Sequence, residues 1–307
     1  MHLLLLSAFI CSFFKINEGA DWCYQSQDPC ASHCKGPDLW KDTENAASCA
    51  GTSQSPINIV TKRTRLDERL TPFKFRGYET VFHSLIENNG HTVKVDVSTD
   101  ATISGGNLTS VYKAVQFHLH WGEKGGPGSE HTVDGEQYPM ELHIVHMKQK
   151  YSSLGEALKD KTGVAVLGFF YEKSSENKNY EPIINALKEV KQASTNKSVD
   201  NLFLNALIPP PTSLTNYFRY QGSLTTPGCT ESVIWTVFEH PILLSRDQLE
   251  AFSDLKFKNG KSMVGTFRPV QPLNGRLVYR SSGNTLLASV MLLTVSISAA
   301  IGLSRPN

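Results

Sequence analysis

The chain has 307 residues with 30 Lys+Arg against 29 Asp+Glu, and a formal charge of +1 gives no electrostatic reason to expect a nucleic-acid or polybasic membrane partner. An apolar content of 40%, 9% aromatics and 22 Gly lie in the globular range and exclude a disordered or collagen-like chain. Such a chain buries one large core or two modest ones.

In chain order, the first element is the apolar run Leu3 to Phe14, followed by the small residues Gly19 and Ala20. Residues 1–20 read as a secretory signal peptide, although no Lys or Arg precedes the run and Glu18 stands near the expected cleavage point. If Cys11 is removed with that segment, Cys23, Cys30, Cys34, Cys49 and Cys229 remain. In an oxidising compartment this pattern suggests disulfides that staple an N-terminal loop to the body, with one thiol left over. A zinc site on Cys30 and Cys34 is the competing reading, disfavoured by that compartment. Asn107 and Asn196 begin N-x-S/T sequons and are candidate glycosylation sites.

Strand-like alternation runs through Val115, Phe117, Leu119 and Trp121 against Gln116, His118 and His120, and again through Glu141, His143 and Val145 against Leu142, Ile144 and His146. Val164 to Tyr171 and Val233 to Phe238 are further strand candidates. Helical signals are short: Pro182 opens an amphipathic segment through Val190, and Ser245 with Gln248 forms a capping-box pattern. The balance is mainly β with peripheral helices, in a single domain over residues 21–280, and nothing alternates as βαβ units. At the end, Leu286 to Leu303 carries no charge and follows Ser281, Ser282 and Gly283. Residues 281–307 are read as a GPI-attachment signal with Ser281 and Ser282 as anchor candidates, a single membrane span being the alternative.

Seven of the ten histidines fall between His83 and His146. On a strand, His118 and His120 project from one face about 7 Å apart, close enough for both imidazoles to reach one metal ion. His143 on the next strand is the candidate third ligand. A His-x-His pair also arises by chance; its weight comes from Gln116 and Glu141, placed on the same faces to accept the imidazole N–H groups and fix the tautomers. Three neutral imidazoles leave a dication's charge undiminished and leave a position for water, which is the donor set of an acidifying site.

The motifs Ser53 to Ile59, Asn88 to His91, Gln116 to Gly122, Gly128 to Asp134, Glu141 to His146, Ala165 to Gly168, Ser223 to Pro227 and Arg268-Pro269 together resemble the alpha-class carbonic anhydrases. The resemblance implies a large, twisted, mostly antiparallel central sheet flanked by short helices, with a cleft descending to Zn2+ held by His118, His120 and His143. It implies that Thr225 orients the attacking hydroxide while donating its own proton to Glu130, and that His91 shuttles protons. Val145, Val166, Leu224, Thr226 and Trp235 are then the carbon dioxide pocket, Tyr24 borders the cleft, and His131 and His146 are structural. Cys49–Cys229 is the expected bridge across the Thr225 turn. Cys23 pairs with a second N-terminal cysteine, Cys34 fitting the family spacing better than Cys30. The expected activity is reversible hydration of carbon dioxide to bicarbonate by a GPI-anchored monomer on the extracellular face of the plasma membrane, where a bicarbonate transporter is a sensible neighbour. A non-catalytic binding ectodomain of the same fold is the alternative. Such domains typically lose zinc histidines, and this chain keeps all three.

Overall fold

The computed structural model describes residues 22–28 and 34–283. The expected signal peptide, Cys30 and the apolar tail lie outside the described residues. Fifteen strands occur among the described residues. The first six are β1 (Asn58–Ile59), β2 (Arg65–Leu66), β3 (Phe73–Arg76), β4 (Phe82–Asn88), β5 (Val93–Asp96) and β6 (Thr102–Gly105). Then come β7 (Tyr112–Trp121), β8 (Thr132–Val133), β9 (Glu136–Gln137), β10 (Met140–Lys148) and β11 (Val164–Lys173). The last four are β12 (Thr195–Leu202), β13 (Tyr217–Gly222), β14 (Val233–Leu244) and β15 (Tyr279–Arg280). The α-helices are short: α1 (Leu154–Ala157), α2 (Glu181–Leu187), α3 (Leu204–Leu207) and α4 (Arg246–Ala251). None of them is long and apolar enough to cross a membrane.

A 12-stranded sheet dominates, in the order β12-β4-β5-β7-β10-β11-β14-β13-β15-β2, with β6 also on β7 and β3 on β6. It is mainly β and mostly antiparallel as expected, but β11 and β14 run parallel in its middle, as do β15 and β2 at one end. That parallel pair explains why Val164 to Tyr171 is a continuous apolar run: β11 is buried on both faces over those residues. The central strand β10 is likewise buried throughout, so its alternation separates two kinds of interior rather than core from solvent.

One face of the sheet carries the larger core, including Leu119, Trp121, Leu142, Ile144, Leu167 and Phe169. The other carries a smaller cluster of Val145, Val166, Phe218, Tyr220, Trp235 and Val237. Glu141 and His143 share the second face because they lie an even step from Val145, and His118 and His120 join them as the cross-strand partners of His143 and Glu141. The expected helix ends are also present. Ser245 and Gln248 form the capping box of α4, and Pro182 lies in the first turn of α2.

Two disulfides occur among the described residues. Cys49–Cys229 joins the 3-10 turn at Ala47–Ala50 to the loop after β13, and Cys23 pairs with Cys34. Of the two partners left open by the sequence, Cys34 is the one used. The Cys49–Cys229 link spans 180 residues and so removes much of the unfolded chain's freedom. Replacing both cysteines by alanine is expected to lower unfolding free energy by about 2–5 kcal/mol in non-reducing denaturant titrations.

Candidate metal centre

The register between β7 and β10 assembles the site. His118 is the cross-strand partner of His143, His120 of Glu141, and Gln116 of Val145. Opposed residues in an antiparallel pair point to the same face, so the three imidazoles converge. Their ring centroids lie 4.6 to 5.2 Å apart, and one nitrogen from each falls within 4.8 Å of the other two. The next row along the same face is Gln116, Val145, Val166 and Trp235, which sets an apolar surface beside the histidines.

Each imidazole has its other nitrogen engaged. Gln116 Oε1 lies 2.9 Å from His118 Nδ1, and Glu141 Oε1 lies 2.7 Å from His143 Nε2. The sequence indicated both of these partners. It did not indicate the third: the Thr266 carbonyl lies 2.6 Å from His120 Nδ1. That carbonyl is held by the segment Met263 to Arg268 along the end of β7, where Trp121 N–H donates to Thr266 Oγ1 and Trp121 Nε1 donates to the Met263 carbonyl. A backbone acceptor 146 residues away leaves no mark on residue identity. With these acceptors fixing the tautomers, the nitrogens left facing inward are His118 Nε2, His120 Nε2 and His143 Nδ1.

Electrostatics favour a cation between them. His120 is fully buried and His143 nearly so, and burial holds all three histidines below the ordinary imidazole range, His120 at about 3. His120 Nε2 and His143 Nδ1 stand 3.1 Å apart. Two neutral lone pairs at that separation repel unless a proton or cation lies between them, and burial disfavours the proton. Tetrahedral zinc at about 2.0–2.1 Å from each nitrogen places its ligands about 3.3 Å apart, so the donor set and spacing fit such an ion.

Behind the histidines lies a buried polar cradle. Glu141 Oε2 accepts the backbone N–H groups of Glu130 and His131, both at 2.8 Å, while its Oε1 also meets His131 Nδ1 at 2.7 Å. Burial alone raises the Glu141 carboxyl; the neighbouring His131 and His143, both hydrogen-bonded to it, outweigh that effect and hold the group well below the usual range. The Tyr220 hydroxyl then joins His131 Nε2 at 2.7 Å to Ser55 Oγ at 2.8 Å. His131 is therefore buried and hydrogen-bonded, as read from the sequence. It also completes a second candidate grouping with Glu141 and His143. Short hydrogen bonds already occupy the facing atoms of that grouping, so it does not compete.

Glu130 is pushed well above the carboxylate range by burial, an effect opposed by hydrogen bonding from the Thr225 hydroxyl and from the Arg268 N–H at 2.9 Å. Its Oε2 stands 3.5 Å from His120 Nε2 and 3.9 Å from His143 Nδ1. Thr225 is 5% exposed. Its loop is pinned from several sides: Ser55 and Ser223 exchange N–H to hydroxyl bonds, Trp235 Nε1 donates to the Ser223 carbonyl, and Gln54 Nε2 donates to the Cys229 carbonyl. Val145, Val166 and Trp235 belong to the buried cluster of that face and Leu224 packs against it, so these four residues lie together there.

A cleft of about 160 Å³ opens from the histidines, lined by Trp22, Tyr24, His91, Lys94, Gln116, His118, His120 and Thr226, among others. His91 and Tyr24 thus reach the same cleft as His118 and His120. His146 does not: it lies in the opposite face, with Nε2 2.6 Å from the Tyr78 hydroxyl. Both sequons begin at exposed asparagines, Asn107 in a tight turn and Asn196 on the edge strand β12. Ser281 is buried, its hydroxyl donating to the Thr215 carbonyl and accepting from Tyr217 N–H, and Ser282 is half-buried.

A family model for eukaryotic-type carbonic anhydrases matches residues 35–282. The chain is 40% identical over 301 residues to carbonic anhydrase 4 of Rattus norvegicus, covering 96% of each protein. It is 40% identical to carbonic anhydrase 4 of Mus musculus, covering 96% of this chain and 95% of the other. Against carbonic anhydrase 12 of Homo sapiens it is 36% identical, over 93% of this chain and 80% of the other. The chain belongs to the eukaryotic-type carbonic anhydrases, enzymes that hydrate carbon dioxide, and resembles the isoform-four branch.

His146 yields a pH prediction separate from the metal. Burial holds it at about 4 against an ordinary 6.5, so the unfolded chain binds a proton that the folded one refuses. Its contribution to stability is complete above the unfolded value and is lost as pH falls from about 6.5 to about 4. Denaturant titrations of metal-free protein should show this loss, with a slope shallower by about one proton in His146→Phe.

Proposed function

We propose that the chain hydrates carbon dioxide to bicarbonate with Zn2+ held by His118, His120 and His143, on the outer surface of the cell. The observation that carries this reading is the convergence of three neutral imidazole nitrogens whose partners Gln116, Glu141 and the Thr266 carbonyl leave their lone pairs facing one point. Zinc bound there supplies a Lewis acid that makes a hydroxide nucleophile available near neutral pH.

The chain's own groups do the positioning. Thr225 accepts a hydrogen bond from the nucleophile and donates its own proton to Glu130, which has to be ionised to accept it. Burial opposes that ionisation, so nearby positive charge must restore it; the Arg268 guanidinium supplies part of this, and a dication at the triad favours it further. Val145, Val166, Leu224 and Trp235 offer carbon dioxide a dry surface beside the nucleophile, with Thr226 at its rim. His91 receives the released proton at the cleft mouth and passes it to a buffer base, a task suited to an imidazole near neutral pH.

Metal analysis of the secreted protein is expected to give one zinc per chain, with carbon dioxide hydration in stopped flow far above the buffer rate. His118→Ala should lose zinc and activity together; activity without the metal would overturn the ligand set. Zinc at full occupancy with no hydration above buffer would instead support a binding role.

Residues 1–20 as a signal peptide, 21–280 as the catalytic domain, and the small residues Ser281 and Ser282 before the apolar run Leu286 to Leu303 support secretion followed by GPI anchoring. The exposure of Asn107 and Asn196 supports glycosylation there. GPI-specific phospholipase C should release the protein from intact cells; retention after treatment would favour a single span. Carbon dioxide and bicarbonate are the ligands of this reading, a bicarbonate transporter is its natural neighbour, and the enzyme acts as a monomer.

A further inference from the structure

One row of side chains crosses the sheet from its edge to the histidines. Asn196 on β12 is the cross-strand partner of Glu87 on β4, Glu87 of Lys94 on β5, Lys94 of His118 on β7, and His118 of His143 on β10. All four pairings are antiparallel, and residues opposed in such pairs point to the same face. Contacts agree: Lys94 Nζ lies 3.7 Å from Glu87 Oε2, and Lys94 lines the cleft beside His118. Exposure rises along the row, from half-buried His118 through 31% for the Lys94 side chain and 40% for that of Glu87 to exposed Asn196. The row therefore climbs out of the cleft and ends on its rim. Neighbouring strands stand about 4.8 Å apart, which roots Asn196 roughly 10 Å from Lys94 and roughly 14 Å from His118. Ser198, the hydroxyl residue of the Asn196 sequon, shares this face and stands opposite Leu85, a leucine left 53% exposed.

We infer that an N-glycan on Asn196 forms the outer wall of the cleft on this side and admits ligands by size. This rests on the reading of Asn196 as glycosylated and of the cleft as the catalytic one. In the transfer, the Asn196 side-chain nitrogen bonds to the anomeric carbon of a lipid diphosphate-linked oligosaccharide, the carbon–oxygen bond to the diphosphate breaks, and the amide gives up one proton. The product is a bulky, hydrated chain anchored two strand spacings outside Lys94. Carbon dioxide, bicarbonate and small buffer bases pass beside such a chain, because they need little volume and it holds water between its sugars. A ligand that reaches the histidines while its remainder extends past Lys94 and Glu87 competes with the glycan for the same space. Exclusion then acts on association, since the glycan has to move aside before the ligand docks. The glycan touches no reacting atom, so hydration itself is unaffected. The same chain covers Leu85 and masks an apolar side chain at the rim.

Glycopeptide mass spectrometry of the protein expressed in animal cells must first find Asn196 occupied; an empty sequon overturns the inference and leaves the catalytic reading untouched. Association with the zinc-loaded glycoprotein is then measured for two probes, a free aryl sulfonamide that binds zinc and the same sulfonamide carried on a rigid spacer by a globular protein. Asn196→Gln and Ser198→Ala each abolish the sequon. Both should raise the association rate of the conjugate by at least about tenfold, the lower part of the span that association rates cover among variants of one interface. The free probe and kcat/KM for hydration should stay as in the wild type. Trimming the wild-type glycan to its first sugar with an endoglycosidase should reproduce the gain without a substitution. Thr109→Ala, which removes the sequon on the turn after β6, should leave both probes unchanged. Equal association of the conjugate with and without the Asn196 glycan overturns the proposal. So does an equal gain for both probes, which would mark a change in the cleft itself, or an equal gain in Thr109→Ala, which would mark general crowding. No binding of the free probe to zinc-loaded protein defeats the metal-centre reading, and this inference with it.

Discussion

The pairing of β7 with β10 governs the rest of the structure. In the observed register His118 stands opposite His143 and His120 opposite Glu141, so the three histidines, Gln116 and Glu141 share one face of a central pair of strands of which β10 is buried throughout. A slip of one residue would turn His143 and Glu141 into the larger core and bring Leu142 and Ile144 to the cleft. Burial on both faces penalises that slip twice, since it would place ionisable groups among Leu119, Leu167 and Phe169 and apolar ones beside the histidines.

Around that register the structure spends its buried polar groups on orientation. Gln116, Glu141 and the Thr266 carbonyl each take one imidazole nitrogen, and Glu141 is in turn fixed by two backbone N–H groups and His131. Such a network is favourable because nearly every member has a partner; half-satisfied, it would cost more than an apolar core. The same logic explains the depressed titration of the triad. Desolvation keeps the imidazoles neutral, and neutral imidazoles are what a dication requires.

The N-terminal segment and the loop after β13 show how covalent links serve a site rather than only a fold. Cys49–Cys229 ties down the turn that carries Thr225, and Cys23–Cys34 ties down the segment whose Trp22 stacks on His91. Both links join chain that contributes little to the main sheet. Packing alone gives such segments little stability, and the side chains they carry must nevertheless be held still.

Much of the site was legible because its chemistry resides in residue identity at short spacing. Two histidines one residue apart on a strand, with Gln116 and Glu141 each two positions from a ligand, can be read from the alternation of a β-strand. The Ser245 cap and Pro182 follow from equally local rules. What the sequence could not determine is contact over long separations. The Thr266 carbonyl on His120, the Arg268 N–H on Glu130 and the Tyr220 link between His131 and Ser55 are set by how distant segments pack, and two of them involve backbone atoms that any residue carries. The parallel pairing of β11 with β14 and the choice of Cys34 over Cys30 belong to the same class. The sequence alone determined which groups could do the chemistry; the tertiary structure decided which of them meet, because register, sheet order and disulfide partner depend on the whole chain's packing.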